Sequence, residues 1–212
     1  LASDKQTALR PQIVLNLLLA KSKQKDTVGC VALANAEFAN LGNSSTATDA
    51  LSIAVDCAGN DQDLASKTLR TNAMAKWAAL ADDARAPLST DDRSDALLYL
   101  REAMVAAGDL ANANKVADKQ RALLDDAASK AGSPLAASTY NWPRAEVYVF
   151  LQRPLDIAPA LVQSAQDLPT DYDPAYRAAW VFSKAQKYAD ASLWAHKADA
   201  LAYGPRRMRT TE

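Results

Sequence analysis

The chain has 212 residues, a formal net charge of −1 and two cysteines. That length holds one or two domains with a real hydrophobic core, and the near-neutral balance, with a sequence pI of about 5.9, leaves no basic footprint for DNA or RNA. Apolar residues make up 49%, dominated by alanine, and glycine is scarce at 6, which favours helices over an all-β chain full of tight turns.

The chain opens on Leu1 rather than Met, so it reads as a processed or trimmed product whose targeting segment is gone. Helical periodicity then runs almost without a break. A first helix over 4–23 carries Leu9, Ile13, Leu17 and Leu18 as its buried stripe, with Pro11 near its first turns. The apolar run "IVLNLLLA" inside it is broken by Asn16 and is far too short to span a bilayer. A second helix starts at Asp26, a good capping residue, and stops at Gly42. A third opens in "SSTATD", where Thr46 and Asp49 have capping-box spacing, and closes at Gly59. A fourth covers roughly 62–81.

The acidic loop "DDARAPLSTDD" leads to a fifth helix from Thr90, ending at Gly108. Asp91 and Asp92 fall in its first turn, where the helix dipole favours negative charge. A sixth covers roughly 110–131 and stops at "GSP". "STYNWPRAEVYVFLQ" enters a helix through Pro143. "RPLDIAPALVQSAQDL" starts at Pro154, with Pro159 inside it as the source of a kink or a later start. "DPAYRAAWVFSKAQ" and "KYADASLWAHKADALA" form the last pair, closed by Gly204 and Pro205.

Connections are short and the helices come in pairs, so internal repetition is the first pattern to test. "TATDALSIAVDCA", "AGDLANANKVADKQRAL" and "QKYADASLWAHKADALA" share a polar turn followed by regularly spaced small residues. These are Ala50, Ala54 and Cys57 in the first stretch and Ala191, Ala195 and Ala198 in the last, a spacing that lets two helices approach closely. The layout is a degenerate form of the tetratricopeptide repeat (TPR), a helix pair of about 34 residues. Its clearest copy is 173–205, with Gln186 where the repeat has glycine. The expected fold is an all-α, TPR-like α-solenoid of antiparallel hairpins, with about nine to ten helices, and a simple helical bundle is the alternative. The expected organisation is a single domain over 1–212: an N-terminal helix over 1–25, irregular hairpins over 26–131 and TPR-like hairpins over 138–209.

Four stretches are more specific than the repeat: "PLSTDDRSDAL", "TYNWPRAEVY", "LPTDYDPAYR" and "AYGPRRMR". Together they resemble the TPR-like C-terminal region of bacterial thioredoxin-family proteins, in which a thioredoxin-fold domain precedes a helical array. The resemblance covers roughly 26–209 and implies a helical array beside a redox domain. No Cys-x-x-Cys is present, so it carries over no redox activity and no catalytic residue. The family's array continues past "YGPRR", so a chain ending at Glu212 is expected to be a fragment or a shortened relative.

The cysteines have too few companions for zinc, since the only histidine is the distant His196, and their separation is too wide for a dithiol redox motif. If a hairpin turns near 42–45, Cys30 and Cys57 stand level on its facing stripes. They are then a disulfide or two buried thiols. A disulfide persists only in an oxidising compartment, which points to the periplasm or to secretion. His196 beside Trp194 lacks a catalytic partner at helical spacing, Asp199 being at most a surface pair. "STDDRSD" is dense in carboxylates but lacks the ligand spacing of an EF-hand; a cap with first-turn acids neutralised by Arg93 accounts for it.

Tyr140, Trp142, Tyr148 and Phe150 lie together, as do Tyr172, Tyr176, Trp180, Trp194 and Tyr203. Such rings fill seams between hairpins or line a concave groove. In the groove reading Trp142, Arg144, Tyr148, Tyr176, Arg177 and Trp180 meet the partner, the arginines by capturing a carboxylate. No phosphate loop, nucleophile elbow or metalloprotease helix motif is present. The expected function is a non-catalytic scaffold for a protein or peptide partner. It is expected to have no cofactor, metal, nucleic acid or membrane insertion. The alternatives are an accessory module of a thioredoxin-like protein and, third, a helical-bundle enzyme. A chain cut short after its last hairpin is expected to expose an apolar stripe there or cover it in a homodimer.

Overall fold

A computed structural model describes residues 2–203, and these are all-helical, with no strand among them. The helices are α1 (Ala2–Lys23), α2 (Thr27–Glu37), α3 (Ser45–Ala58), α4 (Leu64–Asp82), α5 (Thr90–Ala106), α6 (Leu110–Lys130), α7 (Pro134–Ser138), α8 (Asn141–Phe150), α9 (Pro154–Asp167), α10 (Tyr172–Lys184) and α11 (Tyr188–Leu201). Ten have ten residues or more, matching the expected number; the five-residue α7 is the addition, started by Ser133 and Pro134. Neighbouring helices pack in pairs. None of the described helices is long and apolar enough to cross a membrane. The chain divides into two compact units after Val116, inside α6. Most of "AYGPRRMR", including Gly204 and Pro205, lies outside the described residues.

In the first unit α1 packs on α2 and α3, and α3 packs on α4 and α5. α3 buries Ala47, Ala50, Leu51, Ala54, Cys57 and Ala58, a small-residue stripe that brings neighbouring backbones close. Trp77 of α4 is the largest fully buried side chain, and its indole N–H donates to the Thr48 carbonyl at 3.3 Å.

Several expectations fail in this unit, among them the end of the second helix: α2 stops at Glu37, and a single 3-10 turn over Phe38–Asn40 leads on to Gly42. On α1, Leu18 is buried with Val14, but Leu9, Ile13 and Leu17 are 59%, 52% and 48% exposed. Residues 13–20 are apolar on every side but Asn16, so periodicity does not choose a stripe; the packing on α2 and α3 selects the Val14–Leu18 line. α3 starts at Ser45 with Ser44 as its cap, so Asp49 lies inside the helix rather than in a capping box with Thr46.

In the second unit α9 packs between α8 and α10, and α10 packs on α11. Its core joins Val147, Ile157, Leu161, Tyr172, Val181 and Trp194. Pro159 sits inside one continuous α9 that starts at Pro154. On α11 the small-residue stripe is not the buried one: Trp194 and Ala198 are buried, Ala191 is half-buried and Ala195 is exposed. Trp194 fills the contact, with the Lys197 ammonium 3.9 Å from its ring centre, while Tyr188 and Leu193 are left exposed.

Four helices end in the same way. After α1, α5, α8 and α10, a residue with positive φ (Lys25, Gly108, Gln152 and Gln186) reverses the chain. The amide after it reaches back five residues: Asp26 to Lys21, Asp109 to Met104, Arg153 to Tyr148 and Lys187 to Phe182, each at 2.9–3.0 Å. This is the Schellman termination, which satisfies carbonyls the helix leaves open. Gln186 thus adopts the left-handed conformation that glycine takes most readily, and Gln152 does the same 34 residues earlier.

Candidate binding surfaces

Cys30 of α2 and Cys57 of α3 stand at disulfide distance across the first hairpin, with Cα atoms 6.2 Å apart. Both are buried, in a stretch of core where alanines such as Ala34, Ala50, Ala54 and Ala58 bury little apolar surface each.

The residues singled out for partner contact separate into two sets. Trp142 of α8 and Tyr176 and Trp180 of α10 form a half-buried aromatic ladder. Trp142 stacks on Tyr176 with ring centres 6.4 Å apart and meets Trp180 at 5.0 Å. Lys184, one turn beyond, holds its ammonium 5.5 Å from the Trp180 ring. The remaining three are tied into the protein itself. Arg144 donates to Asp125 at 2.8 Å, and buried Tyr148 donates its hydroxyl to the other oxygen of that carboxylate at 2.8 Å. Burial and then this bond push the Tyr148 phenol up from its ordinary value. Arg177 donates to the Ser138 carbonyl at 2.7 Å. Asp125 also accepts from Arg121, so one α6 carboxylate organises three side chains.

The first unit holds a cavity of about 610 Å³ between α3, α4 and α5 that no sequence motif marks. Met74, Trp77 and Tyr99 supply apolar and aromatic lining, and Trp77 and Tyr99 have ring centres 5.7 Å apart. Asp56 of α3 and Glu102 of α5 supply carboxylates, and Lys67 and Arg70 of α4 supply cations. Arg70 is committed: its guanidinium donates to the carbonyls of Ala58, Gly59 and Asp61 at 2.6–3.2 Å, closing the C-terminal end of α3. Burial raises the Asp56 carboxyl above its ordinary range. Tyr99 is raised by burial and then by the negative charge of Asp95 and Asp49. The signal available in the sequence was Trp77 and Tyr99, one ring on each of two consecutive helices, both outside the two aromatic groups of the C-terminal half.

Ser89 and Asp92 form the capping box of α5, each side chain bonded to the other's backbone amide. Arg93 does not neutralise the acids beside it. Its guanidinium donates to the carbonyls of Leu80, Ala81, Asp83 and Ala86, closing the α4–α5 connection. Asp95 is raised, by burial first and then by Asp49, Asp91 and Asp92. His196 is exposed on α11. Among the described residues no group of three or more His, Cys, Asp or Glu is arranged to hold a metal ion. No family model, curated protein or solved structure matches the chain.

Proposed function

We propose that this protein is a non-catalytic helical-repeat scaffold that binds a protein or peptide partner along the face shared by α8 and α10. The observation that carries the reading is the ladder of Trp142, Tyr176 and Trp180, in which Trp142 meets both of the other rings and all three stay partly open to solvent. Neighbouring Tyr172, 2% exposed and 5.5 Å from Tyr176, is the form a purely architectural ring takes in the same seam. Rigid aromatic side chains lose little conformational freedom on binding and dominate interface energetics. Arg144 and Arg177 frame this face from within, and the ladder itself meets the partner. The matching turns at Gln152 and Gln186 support a TPR-like pairing of α8–α9 with α10–α11. The Cys30–Cys57 pair supports residence in an oxidising, extracytoplasmic compartment, because such a link persists there and not in a reducing cytosol.

The test is selection of peptides from a random displayed library on the immobilised protein, repeated on Trp142→Ala and Trp180→Ala. The proposal expects enriched sequences whose affinity falls at least about tenfold in either variant, the loss typical of a hot-spot residue. Enriched peptides that bind both variants as tightly as the parent would overturn it.

A further inference from the structure

We propose that the cavity between α3, α4 and α5 is a separate binding site, shaped for the basic side chain, arginine or lysine, of a peptide partner. The cavity, at about 610 Å³, lies in the range of about 300–1,000 Å³ that small-molecule pockets occupy, which leaves room for a basic side chain with its flanking backbone. Its lining joins two chemistries that a basic side chain uses together. Met74 and Tyr99, both partly open, offer apolar and aromatic surface for the stem and for cation–π contact, with buried Trp77 packed behind Tyr99. Asp56 and Glu102, from different helices, offer carboxylates for the charge.

The charge balance selects the sign of the ligand. Arg70 has its guanidinium occupied by three backbone carbonyls, which leaves Lys67 as the lining cation not engaged with them. Asp56 and Glu102 form no ion pair with either of these cations. Two further carboxylates, Asp49 and Asp95, act on Tyr99 at the same wall. Asp56 and Glu102 stand at the wall of the cavity with no cation paired to them, so a cation entering it supplies the opposite charge. An acidic or neutral side chain has no such compensation to offer. Buried Trp77 is held by its bond to the Thr48 carbonyl and packs against Tyr99, so the wall that Tyr99 presents is preorganised. This inference stands on the first unit alone and does not depend on the ladder of α8 and α10.

The experiment titrates the full chain with three capped tripeptides, acetyl-Gly-Arg-Gly-amide, acetyl-Gly-Lys-Gly-amide and acetyl-Gly-Glu-Gly-amide, and follows backbone and indole nuclear resonances. The arginine and lysine peptides are expected to move the Trp77 indole and Tyr99 signals saturably, with dissociation constants on the order of 1 mM, and the glutamate peptide to leave them in place. Asp56→Asn combined with Glu102→Gln should weaken binding about tenfold. Both residues are exposed, and their amides keep the fold. Lys67→Glu should tighten binding several-fold, a gain that unfolding cannot mimic. Shifts of equal size with the glutamate peptide, no saturable shift up to about 10 mM, or unchanged affinity in the double variant each overturn the proposal.

Discussion

Arg144 of α8 places its Nε 2.8 Å from a carboxylate oxygen of Asp125 on α6, and so the arginine suggested by the sequence as a ligand clamp already holds its carboxylate inside the protein. The pair is mostly shielded, with 14% and 25% of the two side chains exposed, and Tyr148 completes it. Arg144→Ala should therefore cost the second unit about 2 kcal/mol, the range for a hydrogen bond to a charged group. Asp125→Asn should cost a similar amount, and the double variant clearly less than both losses together, because they break one network. Denaturant melts of the four proteins check this. Full additivity would separate the residues.

A Cys30–Cys57 link closes a loop across a hairpin rich in alanine, at a sequence separation of 27. In the chain-entropy treatment such a loop stabilises the fold by about 3–4 kcal/mol. Non-reduced peptide mass spectrometry should recover the cross-linked pair, and reductant should lower the melting temperature. The loss should fall mainly on α2 and α3, since hairpins in a repeat array contact chiefly their neighbours. Two alkylatable thiols in the protein as isolated, with no change in melting on reduction, would contradict this.

Gln152 and Gln186 hold φ of 57° and 59° at helix ends, where a side chain crowds its own backbone. Replacing either with glycine should raise stability by about 0.5–1 kcal/mol, the relief of strain exceeding the extra freedom of the unfolded chain. A glycine placed inside α10, at exposed Ser183 for example, should destabilise. Thermal melts of Gln152→Gly and Gln186→Gly read the sign directly, and destabilisation would mean that the glutamine side chains hold these turns.

Asp95 has its folded-state pKa raised, by burial and then by Asp49, Asp91 and Asp92. A raised carboxyl binds its proton more tightly when folded than when unfolded. Its contribution to stability is therefore greatest below the ordinary carboxylate value of about 4 and is lost as pH rises through the folded value. Asp95→Asn should be more stable than the parent at pH 7, with the difference shrinking toward pH 3. A less stable variant at pH 7 would show that the charge has a favourable partner.

The helices were legible because their punctuation is local. Asp26, Ser89, Gly59, Gly108 and Pro154 start or stop helices by side-chain chemistry or by freedom and restriction of φ, and the structure uses each of them in that way. The level position of the two cysteines followed from hairpin geometry alone. What was not legible is the use of long side chains. Arg70 and Arg93 each reach back to the carbonyls that end the previous helix, over sequence separations of 7–13 residues that no helical period describes. The buried face of α1 was likewise set by its neighbours, because Ile13, Val14, Leu17 and Leu18 are equally apolar. The cavity beside Tyr99 arises from the packing of three helices and has no linear signature.

The central claim is that a partner lies on the face shared by α8 and α10. Backbone hydrogen–deuterium exchange, with and without a saturating library-selected peptide, tests it most directly. The account predicts slower exchange concentrated in 141–150 and 172–184, around Trp142, Tyr176 and Trp180. Protection confined to other helices, with those two segments unchanged, would contradict it.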